Sequence, residues 1–215
     1  MRHIPLLLLC LLLQACSPSQ LGLGESIKLA VMGTDDVTLT NEQIQSLPYA
    51  SMYLRIDNGQ RIFVVLGYDE NDQQKWVTRD KVMLVTQRGR LVKTLGLKDN
   101  LLQVNNLSQD PLADALHIQD GARWTRTLSW TENGQLRSGT AVSTFTRDKD
   151  AVLELAGTKV ACRVYHEEVN IDATGTSWEN TFWVDALTGQ VRQSRQMLGA
   201  DTLPLDITIL KPAKS

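Results

Sequence analysis

The chain is poor in the residue types that build reactive centres. Its 215 residues include three cysteines, three histidines and 6% aromatics. No G-x-S-x-G elbow, P-loop, dinucleotide fingerprint or H-E-x-x-H helix is present, which removes the commonest hydrolase, nucleotide-binding and zinc-peptidase signatures. His117 and His166 lie far apart in sequence, and neither has a second ligand at metal spacing. No cofactor or metal is therefore expected. Net charge is −2, without a basic block. That balance argues against nucleic acid and against a polybasic membrane patch.

The first segment carries the strongest signal. Met1-Arg2-His3 is a short basic start, and residues 4–13 are almost purely apolar, interrupted by Pro5. About ten apolar residues followed by a small residue make a secretory signal, too short to span a bilayer as a mature helix. Leu13-Gln14-Ala15-Cys16 resembles a bacterial lipobox, which implies cleavage before Cys16 and lipidation of that cysteine. A single acyl chain holds a protein only marginally. The diacylglyceryl thioether and N-acyl (palmitate-type) group that a lipobox implies would meet the two-signal requirement. Ser17 follows the cysteine rather than the aspartate that retains many lipoproteins at the inner membrane. The expected address is thus the outer membrane, lipid-anchored and facing the periplasm. Cys10 leaves with the signal and Cys16 carries lipid, so Cys162 is the one remaining thiol. No internal disulfide can form, and the domain must stand on core burial.

The expected organisation is a signal peptide over 1–15, a tether over 16–24, and a single antiparallel β domain over 25–215. Residues 25–32 read as a short helix. Thr40-x-x-Gln43 has capping-box spacing and predicts a second helix that stops at Pro48. Strands are expected at 49–56 and 61–68, joined through Asn58-Gly59, the strongest short hairpin signal. Further strands follow at 74–79, 81–87 and 90–95. Residues 97–121 lose the alternation and read as a connector between sub-halves at about 49–97 and 123–210. Strands resume at 123–131, 136–147, 151–156, 158–171, 176–185, 190–198 and 205–210. About a dozen short strands with turn signals and a few short helices predict a mainly β fold, an antiparallel barrel-like domain or sandwich. Within 158–171 the apolar positions change parity between Tyr165 and Val169, which predicts a bulge near His166-Glu167-Glu168, with solvated carboxylates beside it. Cys162 is expected to point inward as a small hydrophobe.

One constellation stands out. Trp124, Arg126, Leu128 and Trp130 share one face of a strand. An arginine between two tryptophans is costly in a core unless paired or stacked. Two readings are open. In a groove, Trp124, Arg126 and Trp130 would suit a sugar or acidic polymer; inside, Arg126 needs an acidic partner beneath a Trp-rich core. The interior reading is favoured. Arg90 is a similar candidate for polysaccharide or partner binding, with the same alternative.

Several strings taken in order resemble the YjbF/GfcB family of capsule and exopolysaccharide lipoproteins: LPYASMYLRI (47–56), the Trp-Val at 76–77, GRLVKTLGL (89–97), WENTFWVDALTGQVRQSRQML (178–198) and LKP (210–212). The resemblance implies a β-barrel-like domain and a role in assembling or exporting group 4 capsule or related exopolysaccharide. Its partners would be the membrane through the N-terminal lipid, and export proteins or the polysaccharide itself. Cys16 is the one functional residue it transfers, and no catalytic motif comes with it. The expectation is a non-enzymatic accessory lipoprotein. A periplasmic carrier or chaperone with an apolar cavity is the alternative, and a glycan-active hydrolase ranks below both.

Overall fold

The capping box at Thr40 forms as its spacing predicts. Thr40 Oγ1 accepts from Gln43 N at 3.3 Å, and Gln43 Oε1 accepts from Thr40 N at 2.8 Å, starting the helix Asn41–Ser46. In this computed structural model the described residues are 36–199 and 203–213, all within one compact unit. The signal peptide, Cys16, the tether and the helix expected at 25–32 lie outside them.

Thirteen antiparallel strands follow: β1 (Ser51–Ile56), β2 (Ile62–Glu70), β3 (Gln73–Val77), β4 (Met83–Gln87), β5 (Arg90–Leu95), β6 (Leu101–Val104), β7 (Arg123–Glu132), β8 (Gln135–Arg147), β9 (Ala151–Leu155), β10 (Thr158–Ile171), β11 (Thr176–Asp185), β12 (Val191–Met197) and β13 (Pro204–Lys211). Each main-path strand pairs with its chain neighbour, except that β8 pairs directly with β10 while β9 lies off the path against β10. The first and last strands also pair, with Leu54 opposite Ile207. The result is a nearly closed, up-and-down barrel-like sheet. Its seam falls between β5 and β6, where no backbone ladder forms. Side chains bridge it: Thr94 Oγ1 accepts from Leu101 N at 3.0 Å and donates to Asn100 Oδ1 at 3.2 Å. These side chains cover part of a strand edge that the backbone leaves unpaired.

β6 corrects the expected connector. Residues 97–121 contain this strand and two 3-10 turns, Leu107–Gln109 and Pro111–Asp114. β6 is four residues long, too short for alternation to show, and it exists because it pairs with β7.

The interior follows strand periodicity. On β7 Trp124, Arg126, Leu128 and Trp130 are all buried. The main core includes Met52, Leu54, Trp76, Leu84, Val169 and Leu205; a second cluster holds Leu112, Phe145, Tyr165, Phe182 and Val184. Each such side chain contributes about 1.5–3 kcal/mol relative to exposure.

The expected bulge on β10 does not form. The strand keeps continuous register against β11 from Cys162 to Ile171 and against β8 from Tyr165 to Asn170. The parity changes because β10 is apolar on both faces. Tyr165, Val169 and Ile171 line the barrel. Val160 and Cys162 face the other way, into a separate cluster with Leu153, Leu155 and Trp183. Glu167 therefore points inside and is fully buried, while Glu168 is exposed.

Candidate functional site

The structure brings three of the sequence candidates together and separates the fourth. Arg90, at the start of β5, and Trp124 and Arg126, on β7, meet inside the barrel, each at most 4% exposed. Trp130 is equally buried but packs near Gly199 and Gly139 instead. None of the four presents a surface for a polymer to lie on. Cys16 lies outside the described residues.

The centre of the cluster is Glu167. Its Oε2 accepts from Arg90 Nη1 at 2.5 Å and from Asn180 Nδ2 at 2.8 Å. Its Oε1 accepts from Ser143 Oγ at 2.6 Å and sits 3.1 Å from Arg126 Nη1. Arg126 Nη1 also donates to Ser143 Oγ. On its other side Arg90 makes a two-pronged pair with Asp110, Nε to Oδ2 at 2.8 Å and Nη2 to Oδ1 at 3.1 Å. Both guanidiniums approach the Trp124 ring, at 4.8 Å for Arg90 and 4.2 Å for Arg126, and Arg90 is also 4.8 Å from the Phe182 ring. Strand geometry places these groups. Glu167 and Asn180 are directly opposed across β10 and β11, as are Trp124 and Ser143 across β7 and β8.

Two cations and two anions cancel, which is the condition for holding four charges in the dark. Burying each costs several kcal/mol, recovered only with good geometry and further hydrogen bonds. Burial pushes the Glu167 carboxyl upward, but Arg90 and then Arg126 outweigh it and hold it at about 2. Burial draws Arg126 down to about 10, partly offset by Glu167 and reinforced by the like charge of Arg90. Burial also opposes charge on Arg90, yet Asp110 and Glu167 carry it above the ordinary arginine range. Glu167, Arg90 and Arg126 therefore stay ionised at neutral pH. Arg126 Nε and Trp178 Nε1 have no protein partner. Both residues line a space of about 20 Å³ together with Asn180 and Gln196, a volume that suits one water molecule.

Beyond the cluster lies a pocket of about 420 Å³. β3 and β4 wall it on one side and β12 and β13 on another, and the 3-10 turn Pro111–Asp114 borders it. The cluster holds two of these borders in place. Asp110 Oδ1 caps the turn by accepting from Leu112 N at 3.1 Å. Gln196 Oε1 accepts from Leu91 N at 3.0 Å, and its Nε2 donates to Gly89 O and Ser194 Oγ, both at 2.9 Å. Gly89 has φ +84°, and a Cβ there would lie 2.4 Å from Val191 Cβ, so the turn bringing Arg88 to the pocket requires glycine.

Sequence reasoning missed Glu167, Asp110, Ser143, Asn180 and Gln196. The signal for Glu167 was its shared parity with Val169 and Ile171. For Asp110 it was the Asp-Pro step, a helix-start pattern.

The family profile described as "Group 4 capsule polysaccharide lipoprotein gfcB, YjbF" matches residues 24–210. Two curated proteins of Escherichia coli (strain K12) match end to end. One named "Uncharacterized lipoprotein GfcB" is 50% identical over 213 residues, covering 99% of this chain and 100% of its own. One named "Uncharacterized lipoprotein YjbF" is 48% identical over 214 residues, covering 100% of each. The crystal structure of the hypothetical lipoprotein YmcC from Escherichia coli (K12) has the same fold. Its TM-score is 0.79 at 54% identity, over 82% of this chain and 91% of that one.

Proposed function

This chain belongs to the YjbF/GfcB family of group 4 capsule polysaccharide lipoproteins, and from that membership we propose that it is a non-enzymatic accessory factor in the assembly or export of a surface polysaccharide. In this reading lipid on Cys16 tethers the barrel to the outer membrane, facing the periplasm, beside the export proteins or the glycan. The observation that carries it is the family match over nearly the whole chain, from residue 24 to 210.

The interior chemistry supports a scaffold rather than a catalyst. Glycoside hydrolysis asks for a protonated carboxylic acid beside a second carboxylate in a cleft. Glu167 and Asp110 are instead buried against arginine, and Glu167 is held ionised far below the working pH. A carrier for acyl chains would need an apolar lumen. Here four charges occupy the interior, and Asp69, Asp72 and Arg88 border the 420 Å³ pocket.

The test is a deletion strain complemented with the wild-type chain or with Cys16→Ser. Deletion should remove surface polysaccharide while intracellular precursor persists, and Cys16→Ser should fail to restore export. Unchanged surface polysaccharide in the deletion strain would overturn the reading.

A further inference from the structure

The 420 Å³ pocket falls in the size range of sites that bind small molecules. Its lining combines a fixed apolar wall with unspent hydrogen-bonding capacity. The wall includes Trp76, Val191, Ile207 and Ile209, and the indole of Trp76 is pinned by donating from Nε1 to Thr86 Oγ1 at 2.9 Å. Four polar side chains that line the pocket, Asp69, Gln74, Gln190 and Gln193, make no side-chain hydrogen bond to any described residue. A carboxylate and three amides offer acceptors and donors together. That mixture suits the vicinal hydroxyls of a sugar, whose C–H faces suit an apolar wall. The borders are pre-set by Gly89, Gln196 and the Asp110-capped turn, so little ordering is needed on binding.

Charge sharpens the choice of ligand. Asp69, Asp72 and Asp114 line the pocket against a single cation, Arg88, whose Nη2 is already 3.0 Å from Asp72 Oδ2. The local balance is negative, and like charge disfavours an anionic ligand.

We propose that this pocket at the barrel mouth is a saccharide subsite that takes a neutral sugar residue and disfavours sugars bearing a carboxylate. The hydrogen-bonding pattern and the charge argue for the ligand class. That the sugar belongs to a surface glycan rests on the capsule reading above.

The experiment uses the full-length lipidated protein in detergent micelles. The probe is a set of neutral oligosaccharides released by mild hydrolysis from the host's own surface polysaccharide. Part of the same preparation is oxidised at its primary hydroxyls to carboxylates. The neutral probe should shift the side-chain amide resonances of Gln74, Gln190 and Gln193, with Kd on the order of 1 mM. The oxidised probe should bind about tenfold more weakly, and Gln74→Ala and Gln193→Ala should each weaken the neutral probe about five- to tenfold at unchanged Tm. Asp69→Asn with Asp72→Asn should narrow the gap between the two probes. Absence of amide shifts at tens of millimolar probe, or equal binding of both forms, would overturn the inference. The two readings fail separately. If deletion abolishes surface polysaccharide, yet the Gln74→Ala/Gln193→Ala double variant restores it fully and the pocket binds no probe, this inference falls and the capsule role stands. If the pocket binds as expected but deletion leaves the polysaccharide intact, the capsule role falls and the subsite stands.

Discussion

Adjacent residues on β10, His166 and Glu167, gather partners of opposite charge on opposite faces of one sheet. Glu167 is fully buried and engaged by Arg90, Arg126, Ser143 and Asn180. The side chain of His166 keeps 29% exposure, with Nδ1 2.9 Å from Glu179 Oε1 and Nε2 3.3 Å from Asp148 Oδ2, both carboxylates being more than half exposed. The contact distances are alike and the energetics are not. Inside, each charge has given up water, so a lost partner leaves an uncompensated ion. Outside, water replaces a lost partner, and screening weakens the pair before it is lost.

The sharpest way to break this comparison is Glu167→Ala. Arg90 would keep Asp110, but Arg126 would be left charged and buried beside Arg90. The expected loss is about 3–5 kcal/mol, read from urea unfolding of the full chain. A loss under about 1 kcal/mol would mean that water enters the cluster freely and that inside and outside do not differ as argued.

Acid should reproduce much of that loss without a mutation. The Glu167 carboxyl is held at about 2 against an ordinary glutamate value of 4.5. A depressed folded-state value gives stability that is present in full above about 4.5 and is lost as pH falls toward 2. The difference corresponds to about 3 kcal/mol. Unfolding free energy measured from pH 6 to pH 2.5 should drop through this window, and Glu167→Gln should flatten that part of the curve.

What the sequence disclosed and what it hid divide along the same line. β10 and β11 match the expected ranges 158–171 and 176–185 because alternation and the turn between them are local signals. The capping box at Thr40 is local too. Arg126 was legible as a problem, since a cation amid tryptophans must find an anion. Its solution was not, because pairing is set by topology: Glu167 lies 41 residues (167 − 126) from Arg126 and 77 from Arg90 along the chain. Glu167 was read as solvated because β10 is apolar on both faces, with β9 folded against its first half, so parity alone could not say which face was the lumen. β6 was hidden for a related reason, being a strand made by its partner rather than by its own pattern.

A smaller effect is expected at Asp110. Asp110→Asn keeps a side-chain oxygen to accept from Leu112 N but removes the negative charge facing Arg90, which retains Glu167. The loss should be about 1.5–3 kcal/mol, the range for hydrogen bonds to charged groups. A double-mutant cycle with Arg90→Met would show coupling if the pair acts as a unit, and additivity would place Asp110 outside it.

The smallest effect belongs to His166, and its sign is opposite to that of Glu167. Partial burial pulls the imidazole down, but the hydrogen bonds it donates to Asp148 and Glu179 outweigh it and raise its pKa above 6.5. A raised folded-state value gives stability that is complete below 6.5 and is lost as pH rises through the folded value. NMR titration of the His166 ring should show a midpoint above 6.5, moving back toward it in 0.5 M salt as the exposed carboxylates are screened. Stability should fall shallowly over that range, and His166→Gln should abolish the slope without approaching the cost of Glu167→Ala. A midpoint at or below 6.5 would mean that the outer carboxylates do not hold the ring at all. A salt-insensitive raised midpoint would mean that this face is as shielded as the lumen, and the contrast between the two sides of β10 would vanish.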